Sequence, residues 1–148
     1  MKKTVKLILV ILWMSLIFFF SNQKSDDSSK LSDGLIVKVA NVFVDKDLSI
    51  KEKEIILEKY TTIVRKIAHF GIYLVLGVLV INLLLEYNVK HVILVSLIFC
   101  LLYSVSDEIH QLFIEGRSGE VRDIIIDSSG ALMGIYSYYS IKNKSMKK

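Results

Sequence analysis

Apolar residues in this chain come in long blocks. Val5 to Phe20 is broken only by Lys6 and Ser15, and further apolar runs cover Ile67 to Leu85, Val92 to about Ser106, and Ile124 to about Ile141. A helix crosses ~30 Å of hydrocarbon with about 20 apolar residues. The pattern therefore predicts four transmembrane helices, at about residues 5–22, 67–85, 92–108 and 124–141. The polar link from Glu86 to His91 folds the second and third into a tight hairpin. The loop at about 23–64 has a finer period, with Leu31, Leu35, Ile36, Val39, Ala40 and Phe43 making one helical face. Ser49 and Glu52 have capping-box spacing ahead of Ile56, Tyr60, Ile63 and Ile67, which form a second face. Two short amphipathic helices follow, the second running into the second span. They serve either as lids packed on the bundle or lying in the interface, or as walls of a site. The expected fold is all-α: an integral membrane four-helix bundle, one domain over 1–148, with short amphipathic helices in the first extracytoplasmic loop.

Composition agrees. A hydrophobic share of 53% in 148 residues and a mean hydropathy of +0.50 exceed what a soluble domain needs. Cys100 stands alone, which excludes an internal disulfide framework and multi-cysteine zinc or iron–sulfur sites. The first block also has the shape of a secretory leader, but Ser21, Asn22, Gln23 and Lys24 supply no small-x-small cleavage site, so it reads as an anchor. The net charge of +4 gains meaning only from where the charges fall. Lys2, Lys3, Lys6, Lys90, Lys142, Lys144, Lys147 and Lys148 lie on the side of the termini, against Glu86 alone. The basic residues of the other side sit mostly in one long loop, interleaved with acids. Short basic flanks stay inside, so the chain is expected in the cell membrane, multi-pass, with both termini cytoplasmic. Tyr87, Tyr136, Tyr138 and Tyr139 fall at depths suited to the interfacial aromatic belt.

The remaining polar residues collect at one depth. An Asp or Lys at a helix centre costs roughly 2.5–3.5 kcal/mol on insertion scales, so polar groups near the bilayer need partners. The second span opens on Arg65, Lys66 and His69, the third closes on Asp107, Glu108, His110 and Gln111, and the fourth opens on Arg122, Asp123 and Asp127. Arg117, Ser118 and Gly119 occupy the joining loop, where a guanidinium fork suits a carboxylate or phosphate. Arg65 and His69, Asp107 and Gln111, and Asp123 and Asp127 are four apart, and Asp107 and His110 three, so each set shares a helix face. Asp beside His is an ingredient of acid–base chemistry, while interhelical Arg–Asp or His–Asp pairs also serve simply to hold bundles together. No metal-ligand spacing such as HExxH is present, and no metal or other cofactor is expected, although His69, Asp107, His110 and Asp123 offer nitrogen and oxygen ligands. No phosphate-cradling glycine loop, serine elbow or basic-aromatic nucleic-acid face occurs. Gly130 and Gly134 allow close helix approach, within the chain or across a homodimer face. Cys100 and Trp13 read as packing residues.

Asp107-Glu108-Ile109-His110-Gln111, Gly116-Arg117-Ser118-Gly119, Arg122-Asp123, Asp127 and Gly130 together resemble the hallmark of the VanZ-like family of bacterial membrane proteins. Arg65-Lys66-Ile67-Ala68-His69-Phe70 with Tyr73 and Leu76-Gly77 resembles that family's other block, and Phe20-Ser21-Asn22-Gln23 fits as well. The Asp127 position is often Asn in the family, which makes a charge there dispensable, and residues 24–59 carry little of the pattern. The family takes its name from a protein associated with low-level teicoplanin resistance, so the resemblance implies a cell-envelope role without a reaction. It marks His69, Asp107, Glu108, His110, Gln111, Arg117, Ser118 and Asp123, the cluster already picked out on physical grounds.

The resulting expectation is an outward-facing polar pocket that binds an amphipathic anionic envelope molecule, either a lipid-linked precursor or a glycopeptide, among membrane lipids. Arg65 and Arg117 would hold the anion, with His69, Gln111, Ser118, Asp123 and Asp127 around it. Asp107 and His110 would be the orienting and proton-transferring pair, joined by Glu108, if the chain is a hydrolase or transferase for a lipid-linked substrate. A non-catalytic assembly partner and, third, a transporter are the other classes the sequence leaves open.

Overall fold

A computed structural model of the chain describes residues 2–23, 33, 34, 36, 50–117 and 119–146, with the backbone alone at 50–59, 145 and 146. Among the described residues four long helices make up the fold: α1 (Lys3–Ser21), α2 (Ile50–Glu86), α3 (Val92–Gln111) and α4 (Val121–Met146). Three segments, Lys3–Ser21, Tyr60–Glu86 and Val92–Gln111, are long and apolar enough to cross a membrane. Their outer faces carry the apolar surface. Leu12, Phe19, Ile67, Leu102 and Ile109 are all exposed, and an all-round apolar exterior of this extent is satisfied by lipid. Inside, Tyr73, Leu76, Ile81, Cys100, Ala131 and Ile135 form the centre of the packing.

The fourth expected span is helical as well, but it falls outside the three apolar segments. Ser128, Ser129, Tyr136, Ser137, Tyr138 and Asp127 dilute its hydropathy. Its depth follows from its neighbours. Asp123 meets Lys66, Asp127 meets His69, and Tyr138 Oη donates to Asn82 Oδ1 at 2.6 Å. The two helices thus run parallel, and α4 occupies the layer that α2 crosses. Gly130 and Gly134 make the approach close: a Cβ at either would overlap the Phe70 or Leu74 carbonyl of α2. Both glycines therefore pack within the chain, and a homodimer would need another face.

α1 runs antiparallel to α2. Lys6 Nζ binds Glu86 Oε1 and the Asn82 carbonyl near the start of α1, while Trp13 Nε1 donates to the Ile72 carbonyl at 2.9 Å and Tyr103 Oη to the Met14 carbonyl at 2.7 Å. Trp13 is a packing residue with a polar tether. These contacts put the start of α1, the 87–91 link and the end of α4 at one end of the bundle, and the polar cluster at the other. The link turns through left-handed backbone at Asn88 and His91, both with φ 52°.

α2 is longer than the expected span and continuous with the second amphipathic stretch. Tyr60, Ile63 and Ile67 are exposed, so this face points away from the bundle and does not act as a packed lid. The first amphipathic stretch lies outside the described residues except at Ile36, which is helical and buried. Ser49 of the expected capping box and the side chain of Glu52 are also outside them. One tether of the long loop is clear: Thr61 Oγ1 donates to Asp33 Oδ1 at 2.6 Å.

Candidate functional site

At the polar end, α2, α3, α4 and the 112–120 loop converge. Gly116 adopts φ 76°, a left-handed turn that side-chain-bearing residues rarely tolerate. The Arg117 amide donates to the Ile114 carbonyl at 3.1 Å across it. The turn brings Arg117 over the bundle, where its Nη2 lies 3.4 Å from the Phe20 carbonyl and its Nε is buried without a hydrogen-bond partner. Arg65, His69, Gln111, Gly116, Arg117, Glu120 and Asp123 line a cleft of about 80 Å³. Burial first, and then the neighbouring Arg65 guanidinium, push the Arg117 guanidinium below its ordinary value, although Asp107 and Glu108 oppose the shift.

Beneath the cleft the carboxylates follow one pattern. Asp127 is fully buried; its Oδ2 accepts from Ser104 Oγ at 3.0 Å, and its Oδ1 lies 3.4 Å from His69 Nδ1. Glu108 Oε2 accepts from the Glu120 amide at 2.9 Å, which satisfies a donor at the start of α4 that has no helical partner. Asp107 Oδ2 accepts from Tyr73 Oη at 3.4 Å and from Gln111 Nε2 at 3.5 Å. In each case the other oxygen, Asp127 Oδ1, Glu108 Oε1 or Asp107 Oδ1, is buried without a hydrogen-bond donor. His69 Nδ1, Glu108 and Asp127 offer ligand atoms within 4.8 Å of one another. At the rim, Lys66 Nζ is 2.5 Å from Asp123 Oδ1 and 3.5 Å from Glu120 Oε2.

The structure thus gathers Arg65, His69, Asp107, Glu108, Gln111, Arg117, Asp123 and Asp127 at one end. Ser118 lies outside the described residues. Asp107 and His110 do not form a pair. Three residues advance a helix by 300°, so His110 is rotated ~60° from Asp107 and stacks on Phe18 of α1 at 4.4 Å between ring centroids. Among the described residues, the histidine against a carboxylate is His69. Ser104 and the Glu120 amide escape sequence reasoning, because a serine inside an apolar span and a backbone donor carry no signal; Tyr73 is flagged only through the family block.

The profile of the VanZ/LLP1 family matches residues 6–142. The chain belongs to the VanZ/LLP1 family. It is accordingly a VanZ-like membrane protein, and the matched range reaches into all four helices and takes in every residue of the polar end. No curated protein and no solved structure matches it.

Proposed function

We propose that this VanZ-like protein binds the anionic headgroup of an amphipathic envelope molecule, most simply a lipid-linked phosphate, in a cleft that opens to the outside of the cell. One observation carries the reading: Arg65 and Arg117 line the same cleft, and neither has a carboxylate ion-pair partner among the described residues. Two neighbouring guanidinium groups repel unless an anion lies between them, and Arg is the side chain best shaped to hold a phosphate or carboxylate. Phe113 and Leu112 stand exposed beside the cleft, where an apolar tail would run. At about 80 Å³ the cleft takes a headgroup and not a whole glycopeptide. Any protection against a teicoplanin-type antibiotic would therefore act through an anionic group at the cleft mouth, or through the envelope lipid itself.

The test is binding of a fluorescent polyprenyl phosphate, beside the neutral polyprenol, to the chain in nanodiscs. Arg65→Ala and Arg117→Ala should each weaken phosphate binding at least tenfold, about 1.4 kcal/mol, and leave the polyprenol unaffected. Unchanged phosphate binding in both variants removes the reading. In a glycopeptide-sensitive Gram-positive host, the intact chain should raise tolerance to teicoplanin more than the two variants do at equal membrane levels.

The contact of His69 with Asp127 on the floor of the cleft favours a second reading, a hydrolase or transferase for the same lipid-linked phosphate. Such an activity would show a bell-shaped pH profile that disappears in His69→Ala.

A further inference from the structure

His69, Glu108 and Asp127 come from α2, α3 and α4, helix ends that the sequence puts at one depth and the fold brings within 4.8 Å. We propose that they form a site for one divalent metal ion of the Zn²⁺ type, with its open coordination position facing the cleft. Proximity alone is weak support, since acidic groups cluster for many reasons. What points to an ion is the state of the individual oxygens. Asp127 has one oxygen held by Ser104 and the other buried without a hydrogen bond, 3.4 Å from a His69 Nδ1 that also has none, and Glu108 has one held by the Glu120 amide and the other buried and bare. Anchoring one carboxylate oxygen and leaving its twin free is how outer hydrogen bonds orient metal ligands.

Burial makes the bare oxygens expensive. Asp127 is 0% exposed, Asp107 3% and Glu108 4%, and an unpaired carboxylate in such surroundings is strongly unfavourable. Lys66 is engaged by Asp123 and Glu120, and Arg117 acts on Asp107 and Glu108 only at a distance, with no ion-pair contact among the described residues. The geometry suits a small ion. His69 Nδ1 and Asp127 Oδ1 are 3.4 Å apart, and two ligands at ~2.0–2.1 Å from a tetrahedral Zn²⁺ are separated by about 3.3–3.4 Å. One imidazole and two carboxylates form a donor set that Zn²⁺ accepts and that Mg²⁺ or Ca²⁺, which take oxygen ligands, do not favour. His69 also lines the cleft, so a fourth ligand, water or an anion, would enter from there. The site stands whether or not the arginines hold a lipid headgroup.

The full chain, purified in detergent without a histidine tag, is stripped with a chelator, dialysed against Zn²⁺ and analysed for bound metal. One ion per chain is expected. Glu108→Gln combined with Asp127→Asn should abolish binding, Ser104→Ala should weaken it about tenfold, and Glu86→Gln at the far end should leave it intact. Co²⁺ added to the stripped wild type should produce visible absorption bands of a four- or five-coordinate site, a readout that does not depend on any variant folding. A wild type that takes up no Zn²⁺ and gives no Co²⁺ bands overturns the proposal; so does equal binding by the wild type and a folded double variant.

Discussion

Asp127 is the residue around which the polar end is organised. Ser104 and His69 engage its two oxygens from two different helices, so its removal strands partners on both. Asp127→Asn preserves shape and an acceptor for Ser104, whereas Asp127→Leu leaves Ser104 and His69 without one. Urea or thermal unfolding in detergent should show little loss for Asn, and for Leu a loss of about 1–3 kcal/mol, the cost of stranding buried polar groups. Ser104→Ala removes one interhelical hydrogen bond. It should cost ~0.6 kcal/mol, near the average measured for such bonds in membranes. Equal losses in Asn and Leu would mean that charge, not hydrogen bonding, holds the cluster.

At the scale of elements, the parallel pair α2 and α4 is the spine. Backbone contact at Gly130 and Gly134 lets the helices come close enough for His69 to reach Asp127 and for Lys66 to reach Asp123. Gly134→Leu forces the helices apart, because its side chain must displace the Leu74 carbonyl, a backbone atom that cannot swing aside. It should destabilise the chain by about 1–3 kcal/mol, the usual range for overpacking, and should also lower polyprenyl phosphate affinity, since Arg65 rides on α2. Measuring both in the same preparation separates the spine from the cleft: Arg65→Ala should change affinity and leave the unfolding midpoint nearly in place. The first half of α2 was readable as amphipathic from Tyr60, Ile63 and Ile67, but the direction of its apolar face was not. Periodicity shows that a face exists, and only packing shows whether it meets protein or lipid.

At the scale of the whole molecule, the polar cluster lies at the end opposite the start of α1 and the end of α4. Cytoplasmic termini, as the lysine distribution proposes, would turn the cleft outward. In a Cys100→Ala background, Phe113→Cys should be labelled by an impermeant maleimide in intact cells and Lys90→Cys only in inverted vesicles; the reverse pattern would turn the cleft inward. Sequence alone determined the all-helical class, the three long apolar spans and the depth at which polar residues collect, because hydropathy and helical period are local properties and charge in lipid must gather where partners exist. It also marked most of the site through the family blocks. Tertiary structure decided which partners meet. His69 and not His110 lies against a carboxylate, since the rotation of α3 sends His110 to Phe18; Ser104 and the Glu120 amide became oxygen anchors, and three residues far apart in the chain came within ligand distance. Those outcomes depend on helix rotation and close glycine contacts between helices, and neither is written in the spacing of residues along one chain.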